Sequence, residues 1–174
     1  MAHFDINTAK LREMAKTLTA GDTVTISGTV YTARDAAHKR ILQLLQDGGQ
    51  LPFEIKDAVI YYAGPTPGKP GMAVGSCGPT TSGRMDVFAP TLYGLGLLAT
   101  IGKGGRDANV KNAIVKNKGL YLLAVGGAGA LIAKRIIKAE EIGFLELGCE
   151  SVKRLLVQDL PLIVGIDTNG KSIV

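Results

Sequence analysis

The sequence predicts an α/β fold, and three observations carry the prediction. Runs of β-branched and aromatic residues with a period of two alternate along the chain with segments whose apolar residues recur at helical spacing. Clusters of glycine and proline separate these runs. At 174 residues the chain is long enough for one good core and too short for two ordinary domains, so one domain over residues 1–174 is expected.

Leu11, Met14, Ala15 and Leu18 fall at helical spacing and predict an amphipathic helix over residues 7–18. From Gly21 the period changes to two: Val24, Ile26 and Val30 face one way, and Thr23, Thr25, Thr29 and Tyr31 face the other. That is a strand, with Gly28 marking a bulge. The strand runs into a helix that Thr32 and Asp35, three apart, are placed to open as a capping box. Ile41, Leu44 and Leu45 continue its apolar face, and Gly48–Gly49 end it. Residues 58–62 read as a buried strand that stops at GPTPGKPG, residues 64–71, where three prolines and three glycines forbid regular structure. A short strand over residues 72–75 is then expected before CGPTTSGRMD. Residues 99–105 read as a strand entering a glycine loop, followed by a helix over 106–116 and a strand over 120–126. AGALIAKRIIKAEEI predicts another helix, while VKRLLVQDL and PLIVGIDTNGKSIV predict two closing strands, the last with an Asn169–Gly170 turn.

Composition narrows the function. The net charge of +5 is scattered rather than massed in a stripe, and aromatics are only 5% with no Trp, so a nucleic-acid platform is not expected. A small anionic substrate explains the excess as well. The longest uncharged stretch, residues 119–133, is shorter than the roughly 20 residues of a membrane span. Charged residues at Asp5, Lys10 and Arg12 precede any long apolar run, so no signal-peptide pattern opens the chain and a cytoplasmic location is expected. Mean hydropathy is +0.20, and 46% of residues are hydrophobic, which suggests apolar surface reserved for a partner. The two cysteines, Cys77 and Cys149, lie far apart without a CxxC, so no metal site is expected on this chain. Cys77 reads as a small packing residue.

Three polar segments, 32–38, 78–86 and 102–105, each follow a predicted strand. Loops at strand ends of an α/β sheet gather into one crevice, so the three are expected to converge. Arg34, Asp35 and His38 lie within one helical turn, and a guanidinium at a helix N-terminus suits a carboxylate. The plainer alternative has Asp35 capping the helix, Arg34 solvated and His38 on the surface. In GPTTSGRMD, glycines flank the hydroxyls of Thr80 and Thr81, and Arg84 follows four residues after Thr80. A Thr hydroxyl is too weak an acid to serve as a base without an activating neighbour. Lys103 sits in GKGG, whose spacing is not that of a nucleotide-phosphate loop.

GDTVTISGTVYTARDAAHKRI, YYAGPTPGKPG, GSCGPTTSGRMD, IGKGG and ELGCESVKRLLVQDLPLIVGIDTNG together resemble the class I (iron–sulfur) fumarase and L(+)-tartrate dehydratase family, over about residues 20–174. The likeness is to its beta subunit, equivalent to the C-terminal domain of the single-chain enzymes. It implies a swivelling β/β/α domain, and an alpha subunit that carries a [4Fe–4S] cluster acting as Lewis acid on a 2-hydroxy diacid. It further implies that Arg34, Arg84 and Lys103, with Thr81, hold the substrate. Thr80 would lie at the proton-abstracting position, activated by an acidic residue of the partner, and His38 would serve as an acid or base. Three cations and helix N-termini would then offset the two charges of a dicarboxylate. Hydration of fumarate to malate in a hetero-oligomer is the expected activity, with self-association open to the isolated chain. Dehydration of tartrate on the same scaffold and a non-catalytic anion-binding module are the alternatives.

Overall fold

A computed structural model describes residues 2–174. Seven strands, β1 (His3–Asn7), β2 (Thr23–Thr32), β3 (Val59–Tyr61), β4 (Ala99–Gly102), β5 (Leu120–Leu123), β6 (Ile136–Gly143) and β7 (Val152–Ile166), form one sheet. Five α-helices accompany them: α1 (Leu11–Met14), α2 (Asp35–Gln46), α3 (Ala89–Gly94), α4 (Ala108–Asn117) and α5 (Gly129–Ala133). Strands β1 to β5 run parallel in that order, and β7 is antiparallel to β2, β5 and β6. Because β7 pairs with both β2 and β5, the ladder β2–β3–β4–β5–β7 closes on itself and leaves only β1 and β6 outside the ring.

Alternation buries both faces of the central strands. Val59 and Tyr61 of β3, Ala99 and Ile101 of β4, and Leu120 and Leu122 of β5 join Leu11 and Ile132 in one cluster. Ile60, Tyr62 and Tyr121 point the other way, where Ala37, Ile41, Leu92, Val110 and Ile114 bring α2, α3 and α4 against them. Burying both faces explains why these strands are so uniformly apolar.

The sequence-based expectation holds for β2, β3, β4, α2, α4 and the turn after Ile166, where Gly170 N–H donates to the Asp167 carbonyl at 3.0 Å. The expected bulge is present: the β2–β7 register shifts between Ile26 and Gly28, and Gly28 has φ +118, a conformation open to glycine. Opposite it Asp159, at φ 50, donates its N–H to Ser27 Oγ at 2.9 Å.

Five expectations need correction. The first helix is a 3₁₀ turn, Thr8–Lys10, followed by four α-helical residues, and β1 precedes it. Thr32 does not cap α2, whose N-cap is Arg34 with no side-chain cap. The Thr32 hydroxyl is instead used by the sheet, accepting from Lys153 N–H at 3.1 Å. Residues 72–75 are irregular rather than a strand. The helix expected over 128–142 is the short α5 followed by β6, because pairing with β7 overrides a helix-favouring composition. The two closing strands are one 15-residue strand that bends at the bulge.

Candidate active site

The three polar segments converge at the carboxyl ends of the parallel strands, the edge where open α/β sheets place their ligands. Thr80 N–H donates to the Tyr62 carbonyl just past β3 at 2.7 Å. Its neighbour Thr81 bridges Lys103 in parallel register just past β4, and Ser82 N–H donates to the Lys103 carbonyl at 2.9 Å. The segment from Thr80 to Ser82 thus continues the sheet for one short rung and holds both threonines beside Lys103. Ser82 is fully buried and its hydroxyl lies 2.8 Å from the Tyr121 hydroxyl. Gly126, beyond β5, lies beside the Lys103 side chain, where an added Cβ would make ordinary van der Waals contact with Lys103 Cδ at 3.6 Å.

The 3₁₀ helix Ser82–Met85 then presents Arg84, which meets α2. Arg84 Nε donates to Asp35 Oδ1 at 3.0 Å, and Nη2 lies 2.9 Å from Oδ2. Arg34, adjacent to Asp35, pairs with Glu150 at 3.4 Å. It also packs on Gly64, where a Cβ would come within 3.1 Å of Arg34 Cδ and Nη1. Arg34 and Arg84 therefore already carry a carboxylate from this chain, whereas Lys103 makes no ion pair among the described residues. Of the three cations expected to offset a dicarboxylate, two face carboxylates of the chain itself. Arg34, as N-cap, is extended and leaves the first N–H groups of α2 without a side-chain cap, so local positive potential remains.

His38 is fully buried, contrary to a surface placement. Its ring stacks near Phe88 at 5.5 Å and meets Tyr62 edge-on at 5.4 Å. Nδ1 lies 2.8 Å from the Arg34 carbonyl, which only accepts, so Nδ1 carries the proton and Nε2 is a bare lone pair. That Nε2 has no partner. Burial pushes the imidazole down to about 4, against the opposing pull of the Arg34 carbonyl and Asp35. His38 is therefore neutral at pH 7. Its geometry suits support of the Arg34 backbone more than proton exchange with solvent.

Unfolded histidine titrates near 6.5 and the folded one near 4, so the folded state prefers the neutral ring. Its contribution is complete above about pH 6.5, falls away progressively as pH drops below that value, and is gone once pH has passed through 4. Between pH 7 and pH 4.5 the chain is expected to lose roughly 2–3 kcal/mol more stability than a His38→Gln variant. Urea unfolding at the two pH values checks this, and equal acid losses in both proteins would contradict it.

Sequence reasoning missed a supporting pair. Arg106 is wholly buried and its Nε donates to Asp86 Oδ1 at 2.6 Å, while Asp86 Oδ2 accepts from Asp107 N–H at 2.7 Å. The guanidinium also donates to Thr100 Oγ1 at 3.0 Å and Tyr62 Oη at 3.2 Å, and lies over the rings of Tyr62 and Tyr121. It ties the segment carrying Thr80 and Arg84 to the Lys103 loop. No local spacing links residues 86 and 106, so the sequence carried no signal for the pair.

The cysteines do not fit a cluster. Cys77 is in the core, with its thiol pushed up to about 12 by burial, and Cys149 lies on the surface. Among the described residues no group of three or more His, Cys, Asp or Glu is placed to hold a metal ion. Nor is any helix among them long and apolar enough to cross a membrane. The hydroxyls of Thr80 and Thr81 make no hydrogen bond to any described residue, and no carboxylate among the described residues is bonded to Thr80.

Fold and site define an α/β chain whose parallel strand ends bring Arg34, Arg84 and Lys103 together with Thr80 and Thr81. The chain belongs to the family described as Fumarase C-terminus, whose model matches residues 1–174. It is 38% identical over 165 residues to "Fumarate hydratase 2" of Leishmania major, covering 94% of this chain and 29% of that protein. It is 38% identical over 151 residues to "Fumarate hydratase class I, anaerobic" of Escherichia coli, covering 86% of this chain and 28% of the other. The chain thus spans less than a third of these two relatives. With "Putative L(+)-tartrate dehydratase subunit beta" of Methanocaldococcus jannaschii it shares 39% identity over 164 residues, covering 91% of this chain and 84% of that one.

Proposed function

We propose that this chain is the beta subunit of a hydro-lyase that reversibly hydrates fumarate to malate, supplying the carboxylate clamp and the proton-handling hydroxyl. The observation that carries the reading is the meeting of Thr80, Lys103 and Arg84 at one sheet edge, with the Thr80 hydroxyl left unpartnered. The names of the relatives, fumarate hydratases and a tartrate dehydratase beta subunit, support the reaction class and a separate alpha subunit.

In this reading residues 1–174 form one domain, of the swivelling β/β/α kind, acting in the cytoplasm. The [4Fe–4S] cluster belongs to the alpha subunit, since the donor set here does not fit it. Arg34 and Arg84 take the two carboxylates of the substrate, Lys103 adds the cation that no carboxylate of this chain offsets, and Thr81 lies beside it. Thr80 moves the proton at C3 of malate once an acidic group of the partner accepts its own proton. The same cations stabilise enediolate charge on the adjacent carboxylate as that proton leaves. Val125 and Leu131, 62% and 65% exposed, line an apolar groove with Pro161. Such surface suits burial against another subunit.

Relative turnover of the assembled complex tests the substrate. Fumarate and malate are expected to be interconverted faster than tartrate is dehydrated; the opposite order would make it a tartrate dehydratase. An anion-binding module without chemistry would bind both diacids and turn over neither.

A further inference from the structure

We propose that Asp35 is a positioning residue of the clamp: it fixes the edge that Arg84 offers to a substrate carboxylate and lowers the positive charge that this edge presents. The proposal rests on the carboxylate-binding role proposed for Arg84, and it names a residue that role does not require.

Arg84 is more than half exposed, at 53%, and without restraint its long side chain would sample many rotamers. Asp35 is only 27% exposed and is fixed in the first turn of α2, a 12-residue helix packed through Ala37, His38 and Ile41. Its Oδ1 accepts from Arg84 Nε at 3.0 Å, and Oδ2 lies 2.9 Å from Nη2 as a charge contact without a hydrogen bond. A guanidinium held along its Nε–Nη2 edge keeps the edge made by Nη1 and the outer Nη2 hydrogen free, and that edge also matches a carboxylate bidentately. One carboxylate thus aims the arginine and a second is received. The same turn supports Arg34, whose carbonyl accepts a hydrogen bond from His38 Nδ1–H at 2.8 Å. The first turn of α2 therefore brackets both arginines of the clamp.

Two effects of opposite sign follow from removing the charge. Losing the aim lowers turnover, because a small misplacement of a clamp group is costly in rate. Losing a negative charge beside the site strengthens ground-state attraction for a dianion. A residue that merely stabilised the fold would produce the first without the second.

The experiment uses the complex with the cluster-bearing subunit, measuring fumarate hydration and, by calorimetry at low salt, binding of succinate, a diacid that cannot be dehydrated. For Asp35→Asn the expected result is a kcat lower by roughly 10- to 100-fold, with succinate bound roughly twofold to fivefold more tightly. Asp35→Glu keeps the charge but shifts the aim, and is expected to lower kcat with succinate affinity unchanged. That variant decides the matter if Asp35→Asn does not assemble. A kcat within twofold of wild type in either variant, or unchanged or weaker succinate binding in Asp35→Asn, overturns the proposal. A wild-type complex that neither hydrates fumarate nor binds succinate overturns the hydro-lyase reading as well. Failure of the variants alone leaves that reading standing.

Discussion

Thr80→Ala is expected to reduce fumarate hydration by the assembled complex by roughly 10²- to 10⁴-fold, the range for removing a positioned proton-transfer group, with little change in binding of succinate. The physical basis is what the hydroxyl lacks. Thr80 is held through its backbone, by the Tyr62 carbonyl on one side and the Lys103 N–H on the other at 2.7 and 3.4 Å. Its side chain contributes nothing to that holding, so alanine leaves the rung intact. The clamp groups Arg34, Arg84 and Lys103 are untouched by the change. Turnover and binding should therefore separate, as expected for a group that acts only in the transition state. Thr80→Ser, which keeps the hydroxyl, is expected to retain much of the rate. Equal turnover in Thr80→Ala and wild type would remove the proton-handling role, and equal loss of binding and turnover would make Thr80 a binding residue.

Arg106→Met is expected to destabilise the chain by about 3–5 kcal/mol, the cost of leaving one member of a buried ion pair uncompensated. Asp86 would remain, at 8% exposure, with Asp107 N–H as its one remaining bonded donor. Thr100 and Tyr62 would also lose the guanidinium. For a chain of this size the loss corresponds to a Tm lower by on the order of 10 °C, measurable by calorimetry on the isolated chain. Because Arg106 bridges the Thr80–Arg84 segment and the Lys103 loop, the variant that still folds should also bind succinate less well in the complex. A loss below about 1 kcal/mol would show that solvent or other groups compensate Asp86.

Much of the fold was legible in the sequence where local pattern and tertiary packing agree. The period of two in residues 23–31, the glycines after α2 and the proline–glycine run at 64–71 each determine backbone geometry within a few residues. Convergence of the three polar loops followed from their place after parallel strands. Where a distant partner decides, local pattern failed. Ile136–Gly143 carries lysine, alanine and glutamates that favour a helix, yet it is an edge strand because β7 offers an unpaired ladder. Thr32 has a capping residue's chemistry but sits where Lys153 N–H needs an acceptor. That the threonines, arginines and lysine meet in space was readable. Asp35 as the partner of Arg84, Glu150 as the partner of Arg34, and the Arg106–Asp86 pair were not, since each joins residues far apart in the chain. His38 was readable as a neighbour of Arg34 but not as buried, because the residues covering it, Tyr62 and Phe88, come from other segments.

The most direct test of the central claim, that this chain holds one half of an active site, is a titration. The cluster-bearing subunit is prepared anaerobically, increasing amounts of this chain are added, and the disappearance of fumarate is followed by ultraviolet absorbance. No hydration is expected from either protein alone, and the rate is expected to rise with added chain until it saturates at a fixed stoichiometry, with Thr80→Ala assembling but failing to raise it. Full activity from this chain by itself, or a rate unaffected by adding it, would contradict the account.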